Sequence, residues 1–216
     1  MRSNLIQTCL LAAELIALPA MVQVQFNYTT NNGAITITGY TDPGCAVTIP
    51  ARINVGGTYL PVVSIGDGAF DEVFSMTRVT IPDSVTSIGD WAFEGCQSMT
   101  NVTFGSSVIS IGDDAFLVCG LTTVTITDSV TSIGNGAFSE YSGLTNVTIS
   151  SGVVRIEEGA FDHCFSLSSI TIPGSVTYIG GSAFGGCASL TNVMFMANAR
   201  NVGPGAFSFQ IISLLV

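Results

Sequence analysis

The chain has 216 residues, of which 47% are hydrophobic and only 9% charged. That is too apolar for a disordered protein, and the length fits one domain. Fifteen acidic residues face five arginines and no lysine, and a surface of net charge -10 repels phosphate backbones and anionic headgroups, which argues against nucleic acid and membrane-surface partners.

Residues 1–24 carry one early positive charge, Arg2, then an apolar stretch from Leu10 to Ala20 and small or polar residues before Gln25. This is the pattern of a secretory signal peptide, although Glu14 interrupts it; a hydrophobic N-terminal strand or helix is the alternative. No other stretch approaches the ~18 continuous apolar residues of a membrane span, so none is expected in the mature chain. FNYTTNNGAITITGY (26–40) alternates around Asn31-Asn32-Gly33 and predicts a β-hairpin. CAVTIPARINVGGTYLPVVSIG (45–66) keeps V-T-I-P and V-x-S-I-G around a Gly56-Gly57 loop. Residues 25–61 therefore read as an N-terminal β cap with a diverged first repeat, covering the open edge of the regular units beyond it.

From 62 to 207 the chain repeats itself. Ala-Phe recurs at Phe70, Phe93, Phe116, Phe138, Phe161, Phe184 and Phe207, at intervals of 23, 23, 22, 23, 23 and 23. Five residues before each phenylalanine lies Ile65, Ile88, Ile111, Ile133, Ile156, Ile179 and finally Val202. The consensus is I-G-D-x-A-F-x-x-C-x-S-L-T-x-V-T-I-P-x-S-V-T-S. Its period falls within the 20–29 residues of leucine-rich repeats, and L-x-x-V-x-I matches the strand part of their signature. In 144–149, Leu144, Val147 and Ile149 point inward and Thr148 outward, as strand alternation requires. One unit cannot bury its apolar residues alone, so neighbours must stack and equivalent residues form ladders, with the phenylalanines as the main core.

Residues 62–207 resemble the BspA-type leucine-rich repeat family, whose units carry the same AF…C…SLT…VTIP…SVTSIG pattern. The resemblance implies a repeat solenoid: a horseshoe-like coil of six to seven units, β-rich with short helical or 3-10 turns. It also implies a secreted or surface protein of the adhesion type, without enzymatic activity. The third unit is one residue short between Cys119 and Leu121, a deletion expected to fall in a turn because both registers resume at once. Residues 208–216 read as an apolar C-terminal tail folded over the last coil or as a truncated repeat, and the solenoid ends offer surfaces for self-association.

Three constellations invite a chemical reading. FDHC (161–164) sets Asp162, His163 and Cys164 side by side, the residue types of a thiol nucleophile with its base and orienter. The register makes Cys164 one rung of a ladder with Cys96, Cys119 and Cys187, however, in a column completed by Val73, Tyr141 and Gln210. Buried thiols fit that position, and disulfides between Cys96 and Cys119 or Cys164 and Cys187 are the less favoured alternative because parallel ladder side chains do not face one another. Asp67, Asp90, Asp113, Asn135 and Glu158 form an acidic column, read as caps of a single helical turn, with a row of weak Ca²⁺ sites as the alternative. No residue set calls for a cofactor, and no catalytic residue is assigned.

The third constellation is the outward strand face. Thr80, Thr103, Thr125, Thr148 and Thr171 form one column, with Asn101, Thr123 and Asn146 beside them and Thr100, Thr122 and Thr145 in a third. This nearly uncharged array of hydroxyls and amides is the candidate binding face for an extracellular protein or glycan, although β-propensity alone also favours threonine there. The alternative function is a structural spacer within a larger surface protein.

Overall fold

The computed structural model describes residues 25–42, 44–197, 201–208 and 213–215. The signal-peptide reading of 1–24 falls outside them. Asn32 and Gly33 both take positive φ, 50° and 76°, the turn that matches the twist of a two-residue hairpin. It joins β1 (Phe26–Asn31) to β2 (Ala34–Tyr40) in antiparallel register. After β3 (Ala46–Thr48), a second hairpin pairs β4 (Arg52–Val55) with β5 (Thr58–Ile65) around Gly56-Gly57.

From Ile65 onward the chain winds into a β-solenoid of seven coils, numbered from Ile65, Ile88, Ile111, Ile133, Ile156, Ile179 and Val202. Its strands begin with β6 (Arg78–Thr80), β7 (Ser87–Ile88), β8 (Asn101–Thr103), β9 (Ser110–Ile111), β10 (Thr123–Ile126) and β11 (Ser132–Ile133). They continue with β12 (Asn146–Ile149), β13 (Arg155–Ile156), β14 (Ser169–Ile172), β15 (Tyr178–Ile179), β16 (Asn192–Phe195), β17 (Asn201–Val202) and β18 (Ser213–Leu215). The even-numbered strands from β6 to β16 are the predicted L-x-x-V-x-I strands. The odd ones from β7 continue a second sheet in the order β1-β2-β5-β7-β9-β11-β13-β15-β17, antiparallel between β1 and β2 and parallel from β2 onward, which aligns Ile65 with Ile88, Ile111, Ile133, Ile156, Ile179 and Val202. At the C-terminal end β18 pairs in parallel with β16, so residues 213–215 stand in the strand register of the next coil.

No helix, α or 3-10, occurs among the described residues, which corrects the expected helical turns. Two physical reasons explain it. Coils 1 to 6 each pass twice through the left-handed region, first at the column of Gly68, Trp91 and Asp114 and again at that of Glu72, Val118, Glu140 and His163, and a right-handed helix cannot run through either. The turn's N–H groups also point sideways: Phe70, Phe93, Phe116, Phe138 and Phe161 each donate to the alanine carbonyl of the following coil, at 2.7 to 2.9 Å. Hydrogen bonds that a helix would close within the turn here tie one coil to the next.

The core is the predicted phenylalanine ladder. Consecutive rings from Phe70 to Phe207 lie 4.8 to 5.4 Å apart at interplanar angles of 3 to 11°. Tyr40 closes the ladder below Phe70 at 5.4 Å, and Phe195 packs edge-on against Phe207 at 6.0 Å. Across the shortened third coil the spacings are 5.0 and 5.2 Å, so the deletion leaves the ladder intact.

How close the coils come is set by the glycine that ends each I-G or V-G pair. A Cβ on Gly112 would sit 2.6 Å from the carbonyl carbon of Gly89 and 2.7 Å from the nitrogen of Asp90, and Gly89, Gly134, Gly180 and Gly203 are equally tight against the backbone beneath. Coil 5 breaks this column, with Glu157 in the glycine position. Its carboxylate is held outward by Arg155, whose Nε lies 2.6 Å from Oε1. The junction beneath it, between coils 4 and 5, has the widest ring spacing, 5.4 Å from Phe138 to Phe161.

Candidate functional site

The strand face is built from three parallel sheets, β3-β6-β8, β10-β12 and β14-β16-β18. Their registers align Thr48, Thr80 and Thr103, then Thr125 with Thr148, then Thr171 with Met194. Thr48 extends the predicted column by one rung; the V-T-I-P it shares with the regular coils was the available signal. All of these side chains are exposed, whereas Val79, Val124, Val147 and Ile170 between them are buried. The hydroxyls of Thr80, Thr125, Thr148 and Thr171 form no hydrogen bond among the described residues, and that of Thr103 reaches only Asn101 Oδ1, at 3.5 Å.

The third predicted column does different work. Thr77 Oγ1 donates to the Cys45 carbonyl at 2.7 Å, Thr100 Oγ1 to that of Thr77 at 3.3 Å and Thr145 Oγ1 to that of Thr122 at 3.1 Å. The hydroxyl hydrogens of Thr100 and Thr145 are therefore committed to joining coils. Thr122 and Thr123 are exposed beside them.

The strand ladder is interrupted between β8 and β10 and between β12 and β14. Elsewhere on this face the residue just ahead of the strand donates to the coil before it, as from Thr145 to Thr122 and from Thr191 to Ser168, and the isoleucine after the threonine donates to the coil beyond, as from Ile81 to Thr103. The counterpart from Ser168 to Thr145 is not made. A half-open groove of about 300 Å³ lies at this second interruption, with Asn146, Thr148, Ser169 and Thr171 as its polar lining and Val147, Ile149 and Ile170 as its apolar lining.

The tetrapeptide FDHC divides between inside and outside. Cys164 is fully buried and its thiol donates to the Phe138 carbonyl at 3.2 Å; Cys96, Cys119 and Cys187 do the same to Phe70, Phe93 and Phe161 at 3.1 to 3.2 Å. All four thiols are free. The Cys119 thiol and burial push the Cys96 thiol up, and Cys187 and burial do the same to Cys164, so neither is a ready nucleophile. Tyr141 shows what the column requires, since its buried hydroxyl donates to the Phe116 carbonyl at 2.6 Å. His163 lies on the exposed turn, its Nδ1 2.9 Å from Asp162 Oδ2 and its ring edge-on to Phe165 at 5.5 Å. The imidazole and the thiol thus serve opposite sides of the wall.

His163 and Val118 share a left-handed column with Gly95 and Gly186, at φ 54° for both non-glycine residues. A β-branched residue is strained there, so Val118→Gly is expected to raise stability by about 1 kcal/mol in urea denaturation. His163→Gly should leave the stability within about 0.5 kcal/mol of the parent. A larger loss at His163 would show that its contact with Asp162 carries structural weight.

The acidic column caps, but not its own turn. Asp67 Oδ1 accepts the N–H of Asp90 at 3.0 Å, Asp90 that of Asp113 at 2.8 Å, Asp113 that of Asn135 at 2.8 Å, and Asn135 Oδ1 that of Glu158 at 3.1 Å. The expected intra-turn helix cap is replaced by a bond to the next coil. Asp83 repeats the device on Ser106, whose N–H and hydroxyl hold the carboxyl below its ordinary range. Among the described residues no three His, Cys, Asp or Glu side chains are grouped to hold a metal ion, and no helix is long and apolar enough to cross a membrane.

Comparison with known proteins places this architecture. A leucine-rich repeat protein from T. pallidum is 30% identical, over 86% of each chain, and superposes with a TM-score of 0.78. A leucine-rich cell surface protein from Faecalibacterium prausnitzii is 34% identical over 81% of this chain and 54% of its own, with a TM-score of 0.59. The pneumococcal vaccine antigen PcpA is 25% identical over 82% of this chain and 49% of its own, with a TM-score of 0.70. No curated protein matches. The BspA type leucine-rich repeat region matches in six copies, over residues 63–184 and 110–215. With the phenylalanine ladder, the thiol column and the paired parallel ladders in one solenoid, the chain belongs to the BspA-type leucine-rich repeat family.

Proposed function

We propose that this chain is a secreted or cell-surface binding module without enzymatic activity, which presents its strand face to an extracellular protein or glycan. The observation that carries the reading is the threonine column. Thr80, Thr125, Thr148 and Thr171 stand exposed in register with hydroxyls unspent, while the adjacent column spends its own on the fold. An open, regular and nearly uncharged surface of donors and acceptors suits contact along several coils at once. The names of the F. prausnitzii surface protein and the pneumococcal antigen agree with an extracellular setting.

The test replaces Thr103, Thr125 and Thr148 together by glutamate. These side chains are exposed, so the variant should fold, as checked by circular dichroism. Binding to immobilised extracellular proteins and to a glycan panel is expected to weaken at least tenfold, because each glutamate puts an unpaired charge on the contact surface. If the parent binds neither set of probes, or the triple variant binds as well as the parent, the module is a spacer.

A further inference from the structure

The opening between β12 and β14, one of the two interruptions of the strand face, falls at the junction of coils 4 and 5. In five coils the position after the isoleucine, or after Val202, is a glycine on which a Cβ would collide with the coil beneath. Coil 5 carries Glu157 there, and its junction with coil 4 has the widest ring spacing of the ladder, 5.4 Å. Both ladders of the solenoid cross this junction, yet they respond differently. On the opposite sheet β11 and β13 remain paired, Ser132 with Arg155 and Ile133 with Ile156. The strand face gives way, and the bond from Ser168 to Thr145 is lost.

The resulting groove combines three properties. Its volume, about 300 Å³, stands at the lower end of small-ligand sites. Its polar side chains, Asn146, Thr148, Ser169 and Thr171, are all uncharged and offer both donors and acceptors. Unpaired main-chain N–H and C=O groups border it, and such groups gain from a partner that supplies hydrogen bonds. A carboxylate, phosphate or ammonium would find no countercharge among these residues. An extended peptide needs a free strand edge along its whole length, whereas here two edges face each other across a narrow gap.

We propose that this groove binds a neutral glycan, with sugar hydroxyls bonded to Asn146, Thr148, Ser169 and Thr171. The proposal rests on the strand-face reading and narrows it to one junction and one ligand class. The probes are neutral hexasaccharides of glucose, mannose and N-acetylglucosamine, with a hexagalacturonate as the charged control, titrated into the full chain by calorimetry. At least one neutral hexamer is expected to bind, and the charged control not to. Ser169→Trp, which fills the groove, should weaken that binding at least tenfold. Thr80→Trp, in coil 1 on the same face, should leave it unchanged.

Absence of binding by every neutral hexamer overturns the proposal, as does binding that Ser169→Trp leaves intact. If the hexamers fail while an extracellular protein is bound in a manner sensitive to the Thr103, Thr125 and Thr148 glutamates, the groove proposal falls and the broader strand-face reading stands.

Discussion

Phe138→Ala is expected to lower the unfolding free energy by about 3–5 kcal/mol, the range for deleting a buried aromatic ring. Phe138 is fully buried at the centre of the ladder, and its loss removes two near-parallel ring contacts at once, to Phe116 at 5.2 Å and Phe161 at 5.4 Å. In a solenoid each coil touches only its neighbours, so a damaged central rung weakens the coupling between the two halves. Urea denaturation should therefore show a lower midpoint and, beyond that, a transition that broadens or splits in two. Phe138→Leu, which keeps most of the volume, should cost under about 1.5 kcal/mol. An unchanged midpoint for the alanine variant would mean that the ladder is not the core.

Gly112→Ala is expected to cost about 3 kcal/mol, the upper end of typical overpacking effects, for a single added methyl group. The Cβ would lie 2.5 Å from Asp90 Oδ1 and 2.6 Å from the Gly89 carbonyl carbon, and only the first of these can swing away. Yielding means separating coils 2 and 3, which strains the 2.8 Å bond from the Asp113 N–H to Asp90 and the 5.0 Å stacking of Phe93 on Phe116. The control is Gly143→Ala, at a turn where the added carbon meets nothing within 4 Å; it should change stability by less than about 0.5 kcal/mol. Equal melting of the two variants would remove the glycine column as the determinant of coil spacing.

The residues legible in the sequence are those that occur once per coil and face inward. Phe70 to Phe207, the isoleucines, Leu144, Val147 and Ile149 all stand where the period and the strand alternation put them, because burial tolerates few substitutions. The Ser-Ile strands were not read, since two residues such as Ser87 and Ile88 are too short to show an alternation. The left-handed turn positions stayed hidden because Trp91, Val118 and Glu140 are not residues that announce positive φ. Asp67, Asp90 and Asp113 were visible as a column, but their partners are N–H groups one full coil away, and local capping rules look only along the chain.

At the candidate site, the pattern located the threonine columns and left them indistinguishable. That Thr100 and Thr145 give their hydroxyl hydrogens to the preceding coil, while Thr125 and Thr148 keep theirs, depends on three-dimensional neighbours.

The thiol column carries a consequence for how such chains vary. Cys96, Cys119, Cys164 and Cys187 each hand a hydrogen to a phenylalanine carbonyl, and Tyr141 performs the same service with an oxygen. In coils 2 to 6 the position holds a donor, and sulfur is only one way to supply it. Coils can then exchange cysteine for a hydroxyl one at a time without loosening the stack, and the number of thiols in a lineage is free to drift while the architecture stays put.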